Sequence, residues 1–101
     1  MSIVLTSAQT RFLRGVAHDL KALLQTGGKG VTPAFLAELD EVLEQHELVT
    51  VKVAAEDREA RDVLIAAITE GTQSALVQRI GHTAVLYRPS KEKRQIVLPR
   101  G

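Results

Sequence analysis

Apolar and polar positions alternate along the chain in a way that changes period several times, and each change marks an element. From Thr6 to Leu20 the apolar residues Leu13, Val16, Ala17 and Leu20 recur at helical spacing and predict a buried helix stripe. Thr6-Ser7-Ala8-Gln9 opens that helix as a capping box, with Thr6 at the N-cap and Gln9 reaching back to it. The short apolar run Ala22-Leu23-Leu24 reads as a brief strand. A second helix starts at Thr32-Pro33, an N-cap followed by proline at the first helical position. Phe35, Leu36, Leu39, Val42 and Leu43 give it a core face, while Glu38, Glu41 and Glu44 lie on its wet side with Asp40 nearby.

The period then drops to two. Leu48-Val49-Thr50-Val51-Lys52-Val53 is a strand whose valines face one way and whose Leu48, Thr50 and Lys52 face the other. A third helix is predicted from about Asp57 to Glu70, with Leu64, Ala67 and Ile68 inward and Gly71 as its stop. Leu76 to Ile80 and Thr83 to Tyr87 flank Gly81-His82 and predict a hairpin. The polar, basic tail (residues 89–101) ends in Ile96-Val97-Leu98-Pro99, read as a further edge strand. The order α-β-α-β-α-β-β predicts one α/β domain over residues 1–101, a sandwich with a mixed sheet of about four strands.

Composition narrows the function classes. Cysteine is absent from the 101 residues, which excludes disulfides and thiolate metal sites. The three histidines, His18, His46 and His82, sit on separate elements without metal-ligand spacing. The serines lack a nucleophile context, and the acids of the second helix form a wet face rather than a catalytic pair, so the reading is non-enzymatic, without cofactor or metal. No apolar run approaches the roughly 20 residues of a membrane span. A soluble, cytoplasmic monomer is the expectation.

The net charge of +1 conceals an uneven distribution: residues 1–30 balance to +3, residues 31–70 to −7 and residues 71–101 to +5. Basic ends around an acidic middle can orient a protein on a polyanion, although a solvated charged surface explains the asymmetry equally well. Arg11, Arg14, His18 and Lys21 recur every three or four residues and are expected along one side of the first helix. Gly27-Gly28-Lys29-Gly30 lies directly before the second helix, where permissive backbone, a lysine and free helix N–H groups make an anion platform. It is not a Walker A loop: Leu23 and Gly30 stand where glycine and serine or threonine are required. Arg88, beside Tyr87, is a further phosphate-binding candidate, though an exposed strand end accounts for it as well. With only three aromatic residues, base stacking on an aromatic sheet is not expected, and backbone contacts should dominate.

Together these residues resemble a known family. Leu13-Arg14-Gly15-Val16-Ala17-His18-Asp19-Leu20-Lys21 is similar to the L-R-x-x-A-H-x-L-K opening of the CRM domain (chloroplast RNA splicing and ribosome maturation), in particular of bacterial YhbY-like proteins. Gly27-x-x-Gly30-Val31-Thr32, His46 to Lys52, Val77-Gln78-x-Ile80-Gly81, Val85 to Pro89 and Leu98-Pro99 follow in the family's order. The resemblance implies a fold like the C-terminal domain of translation initiation factor three. It also implies RNA binding through the G-x-x-G loop, with Gly27, Gly28, Lys29 and Gly30 at the contact and Arg14, His18 and Lys21 beside it. Arg11 joins this set by helical spacing alone. Bacterial stand-alone members are associated with large ribosomal subunit precursors, so ribosomal RNA is the implied partner; plant members act in group II intron splicing. The chain departs from the family pattern at Ala22, Thr26, Gly28 and Thr50. Aspartate at Gly27 or Gly30 is expected to abolish RNA binding and leave the fold intact. The rival reading is a protein-interaction module that grips a basic ribosomal partner through its acidic helices.

Overall fold

The structure, a computed structural model, describes residues 4–26, 30–92, 96 and 98. The elements follow the order expected: α1 (Ser7–Ala17), β1 (Ala22–Gln25), α2 (Pro33–His46), β2 (Leu48–Lys52), α3 (Arg58–Thr72), β3 (Ala75–Ile80) and β4 (Thr83–Tyr87). The strands form one sheet in the order β1-β2-β4-β3. β1 runs parallel to β2, and β4 is antiparallel to both its neighbours.

Local sequence sets the helix starts. In α1 the Gln9 amide donates to Thr6 Oγ1 at 3.1 Å and the Thr6 amide donates to Gln9 Oε1 at 3.0 Å, the reciprocal pair of a capping box. In α2 the Phe35 amide donates to Thr32 Oγ1 at 3.1 Å, and in α3 the Ala60 amide donates to Asp57 Oδ1 at 2.8 Å.

The two faces of the sheet carry separate cores. Val49, Val51, Val53, Ala84 and Leu86 meet Leu39 and Leu43 of α2 and Ile65 and Ile68 of α3. On the other face Leu48, Val77, Val85 and Tyr87 meet Leu13 and Ala17 of α1. Strand alternation therefore sends β2's valines to the two-helix side and Leu48 and Thr50 to the α1 side.

Four sequence expectations are corrected. α1 ends at Ala17, capped by His18, which leaves Leu20 outside the helix and 43% exposed; Val16, within it, is 41% exposed, and only Leu13 and Ala17 of the expected stripe are buried. Asp19 opposes the negative end of the helix dipole there, and β1 begins at Ala22. Gly71 does not stop α3. A Cβ on Gly71 would lie 2.9 Å from the Leu36 side chain, so this glycine lets α2 and α3 approach, and Gln73 takes the left-handed cap (φ 54°). Inside that helix Ile65 is buried where Ala67 was expected, and Ala67 is exposed. Finally, Ile96 and Leu98 are not in a strand but pack on the α1-side core; Val97 and Pro99 lie outside the described residues.

Carboxylates of α2 and its C-cap hold the tail. Glu47 is fully buried and accepts from the Ser90 and Ile96 amides, each at 2.8 Å. Glu44 accepts from Ser90 Oγ at 2.6 Å and from the Lys91 amide at 2.9 Å. The Ser90 hydroxyl first, then the Lys91 amide, holds the Glu44 carboxyl below its ordinary value of 4.5. A depressed acid stabilises the fold above its unfolded value and loses that contribution as pH falls through the folded value. Thermal melts of wild type and Glu44→Gln are therefore expected to keep a constant gap near neutral pH, with wild type the more stable. The gap should close as pH falls below 4.5. A gap independent of pH would contradict this role.

Candidate nucleic-acid interface

Strand register defines two chemically different ends of the sheet. Gln25 of β1 lies beside Lys52 of β2, Lys52 opposite Thr83 of β4, and Thr83 opposite Ile80 of β3. The chain leaves this end into the glycine loop. Gly27, Gly28 and Lys29 lie outside the described residues, and the structure speaks only of what flanks them.

On the near side the loop is anchored by Thr26, which is 1% exposed. Its amide donates to the Lys52 carbonyl at 3.0 Å and its hydroxyl accepts from the Ala54 amide at 2.8 Å. The family departure at Thr26 is thus a buried clamp rather than a lost apolar contact. On the far side Gly30 has φ +73°, and a Cβ there would lie 3.4 Å from Leu64. Backbone at this φ favours glycine. The expectation that aspartate at Gly30 leaves the fold intact is corrected accordingly: that substitution strains the backbone as well as changing the charge.

Both α2 and α3 begin at this end, yet only one start suits an anion. α2 has no acid in its first turn, whereas α3 is capped by Asp57 and carries Glu59 there. Arg14 lies in the last turn of α1 and His18 caps that helix, both exposed. Lys21 is also exposed but lies past the helix, in the link to β1, so the four-residue stripe expected on one helix bends away after His18. Arg11 is exposed one turn back along α1. Lys52, which sequence reasoning did not single out, is exposed at the end of β2. Its position depends on the parallel pairing of β1 with β2, which no local pattern encodes.

Arg88 is not part of this group. It follows β4 at the opposite end of the sheet, pairs with Asp40 and donates to the Thr72 and Asp40 carbonyls, each at 3.0 Å. Its side chain is 15% exposed, and it ties α2 to α3. The acids Asp40, Glu44 and Glu47 gather at that same distant end.

Between the C-terminal half of α1 and the sheet runs a groove of about 520 Å³. Arg14, Gly15 and His18 line one side, Gln78 and Ile80 the other, with Thr50 and Val85 at the floor. Among the described residues no cluster of His, Asp or Glu could hold a metal, and no helix is long and apolar enough to cross a membrane.

The family model for the CRS1 / YhbY (CRM) domain matches residues 5–88. The chain is 49% identical over 96 residues to an "RNA-binding protein" of Haemophilus influenzae, covering 95% of this chain and 96% of that protein. It is 43% identical to the "Probable RNA-binding protein YqeI" of Bacillus subtilis, covering 95% of this chain and all of that protein. Its fold matches, with a TM-score of 0.82 and 38% identity, the solution structure of the hypothetical protein SAV1595 from Staphylococcus aureus, itself suggested to bind RNA; the match covers 95% of this chain and 100% of that one.

Proposed function

This chain belongs to the CRS1 / YhbY (CRM) domain family, and on that premise we propose that it is a non-enzymatic RNA-binding protein that holds the RNA backbone at the glycine-loop end of its sheet. In this reading the loop 27–30 and the N-terminus of α2 cradle a phosphate, and Lys29 neutralises it. Arg14, His18 and Lys21 continue the positive track around the end of α1, Arg11 extends it along the helix, and Lys52 adds a charge from the sheet.

The observation that carries the reading is the acid-free start of α2 directly after the glycine loop, with exposed Lys52 beside it. Exposed Lys52 and the acid-free start of α2 flank the loop, Arg14 lines the groove that reaches Ile80 and Thr83 at this end, and exposed Lys21 stands before β1, at that strand's other end. The acids of the loop end, Asp57 and Glu59, belong to the start of α3. Asp40, Glu44 and Glu47 lie at the other end, where Arg88, Ser90 and Lys91 engage Asp40 and Glu44. That engagement also weighs against the rival reading, because two carboxylates of the acidic face are already committed within the chain. The names of the Haemophilus and Bacillus relatives support RNA as the ligand. The resemblance to bacterial YhbY-like proteins supports ribosomal RNA of a large-subunit precursor as its source, and a role in assembling that subunit.

The test is retention of protein-free ribosomal RNA fragments on a filter across a salt series. Phosphate contacts to single strands lower log K by about 0.7 per contact for each decade of salt. Contacts from Lys29, Arg14, Lys21, Arg11 and Lys52 therefore predict a slope of roughly −3.5. Absence of retention at low salt would refute RNA binding. Crosslinking in cells, with sequencing of the bound RNA, is expected to recover large-subunit precursor sequences; recovery of other RNA alone would overturn the assembly role.

A further inference from the structure

We infer that the groove between α1 and the sheet seats one unstacked RNA base, next to the backbone track proposed above. The inference rests on that RNA-binding reading and assigns it a second subsite.

The groove carries a buried group without a structural use. Thr50 is 7% exposed, and its Oγ1 has no hydrogen-bond partner among the described residues. Burying a hydroxyl unpaired costs stability, and replacing it by a methyl group of the same shape would remove that cost. Thr50 sits on β2 opposite Val85 of β4, at the groove floor. Its unpaired oxygen is shielded from solvent in the free protein, so a base gains it as a partner only where the floor gives as the base seats. Gln78 lines the same groove and offers an amide with both donor and acceptor. A base edge presents this mixture of donors and acceptors, whereas a phosphate presents acceptors only.

The walls suit a flat apolar face. Leu20 and Ile80 line the groove and remain 43% and 60% exposed. Gly15 leaves its side open, since a Cβ there would meet nothing within 4 Å. The volume of about 520 Å³ lies in the range of roughly 300–1,000 Å³ for small-ligand sites. Arg14 and His18 line both this groove and the proposed phosphate track, so a strand lying on the track can turn one base inward. That continuity favours a base of a bound strand over a free metabolite. The groove lining contains no Phe, Tyr or Trp, so the base is held by its edge and by aliphatic contact, with the His18 ring and the Arg14 guanidinium as the flat groups that can stack on it.

Two variants test this without unfolding the protein. Gly15→Leu fills the groove from a helix position where leucine is the better helix former. Thr50→Val removes the hydroxyl and keeps the β-branched shape. Both are expected to melt at or above the wild-type temperature. On short single-stranded RNA, Gly15→Leu should bind about tenfold and Thr50→Val about fivefold more weakly, with unchanged salt slopes. On an abasic strand of the same length, wild type and both variants should bind equally. Equal binding of normal RNA by all three proteins would overturn the base seat while leaving RNA binding in place. A loss as large on the abasic strand would also overturn it, by assigning the groove to backbone. An excess of free nucleoside monophosphate that blocks the groove more strongly than the strand fills it would make the site a metabolite site instead. Failure of wild type to bind any RNA would remove the parent reading and this one with it.

Discussion

Reversing two charges at the loop end, Lys29→Glu with Arg14→Glu, is expected to weaken binding to protein-free RNA by about a hundredfold at matched salt. Each reversal replaces an attraction to phosphate with a repulsion. An effect of ~1.4 kcal/mol per site multiplies to about that factor. The fold should tolerate both changes. Arg14 is exposed, and an acid in the last turn of α1 opposes the helix dipole at a cost of only about 0.3–1 kcal/mol. Fluorescence anisotropy with labelled RNA gives the affinity, and circular dichroism melts confirm the fold. Glu41→Lys, on the exposed surface of α2, is the control and should cause no loss. A double variant that binds like wild type would place the RNA elsewhere. Gly30→Asp is the poorer probe, because φ +73° makes any loss of binding ambiguous with backbone strain.

The second large effect is on stability. Glu47→Ala is expected to cost about 3–5 kcal/mol, a large share of the ~5–15 kcal/mol that holds a domain of this size. The Glu47 carboxylate is fully buried and accepts from two backbone amides 2.8 Å away, Ser90 and Ile96. Each hydrogen bond contributes about 0.5–1.5 kcal/mol, and deleting the acceptor leaves the buried Ser90 amide without it, at a desolvation cost of about 1–3 kcal/mol. A drop in Tm of more than about 10 °C follows for a chain of this length. Glu47 also has φ 63°, so alanine keeps the backbone strain and loses the compensation. Glu47→Gln retains one carbonyl acceptor and should fall between the two. Below its melting temperature Glu47→Ala should bind RNA with wild-type affinity, since the clamp lies at the far end of the sheet. A Tm unchanged within a degree or two would refute the clamp.

Glu47 shows where sequence reading stops. His46-Glu47 reads as a helix–strand junction, and that is where it lies, but the partners that make Glu47 costly to lose are 43 and 49 residues away. Arg88 was misplaced for the same reason: a strand-end arginine looks free until the packing of α2 against α3 brings Asp40 and Thr72 to it. What was legible is what local chemistry decides. Thr6 and Gln9, Thr32 and Pro33, and Gly81 with φ +55° at the hairpin each fix an element boundary through neighbours a few residues away. Where a boundary depends on packing, local signals misled. Gly71 has the residue type of a helix stop, but its missing side chain is used sideways, against Leu36.

The candidate site divides along the same line. The glycine loop and Arg14 are visible as sequence, because residue type and adjacency define them. Lys52 and the groove floor at Thr50 are not, because they depend on which strands are neighbours and in what register.

Backbone amide shifts of the uniformly labelled chain, recorded by NMR during titration with short single-stranded RNA, test the central claim most directly. The account predicts that the largest changes cluster at Arg14 to Lys21, Thr26 to Thr32, Lys52 to Ala54 and Gln78 to Thr83, the segments of the loop end and of the proposed track around the end of α1. The amides of Asp40 to Glu47 and Arg88 to Glu92 should move little. Changes centred on that acidic end, or none at saturating RNA, would contradict it.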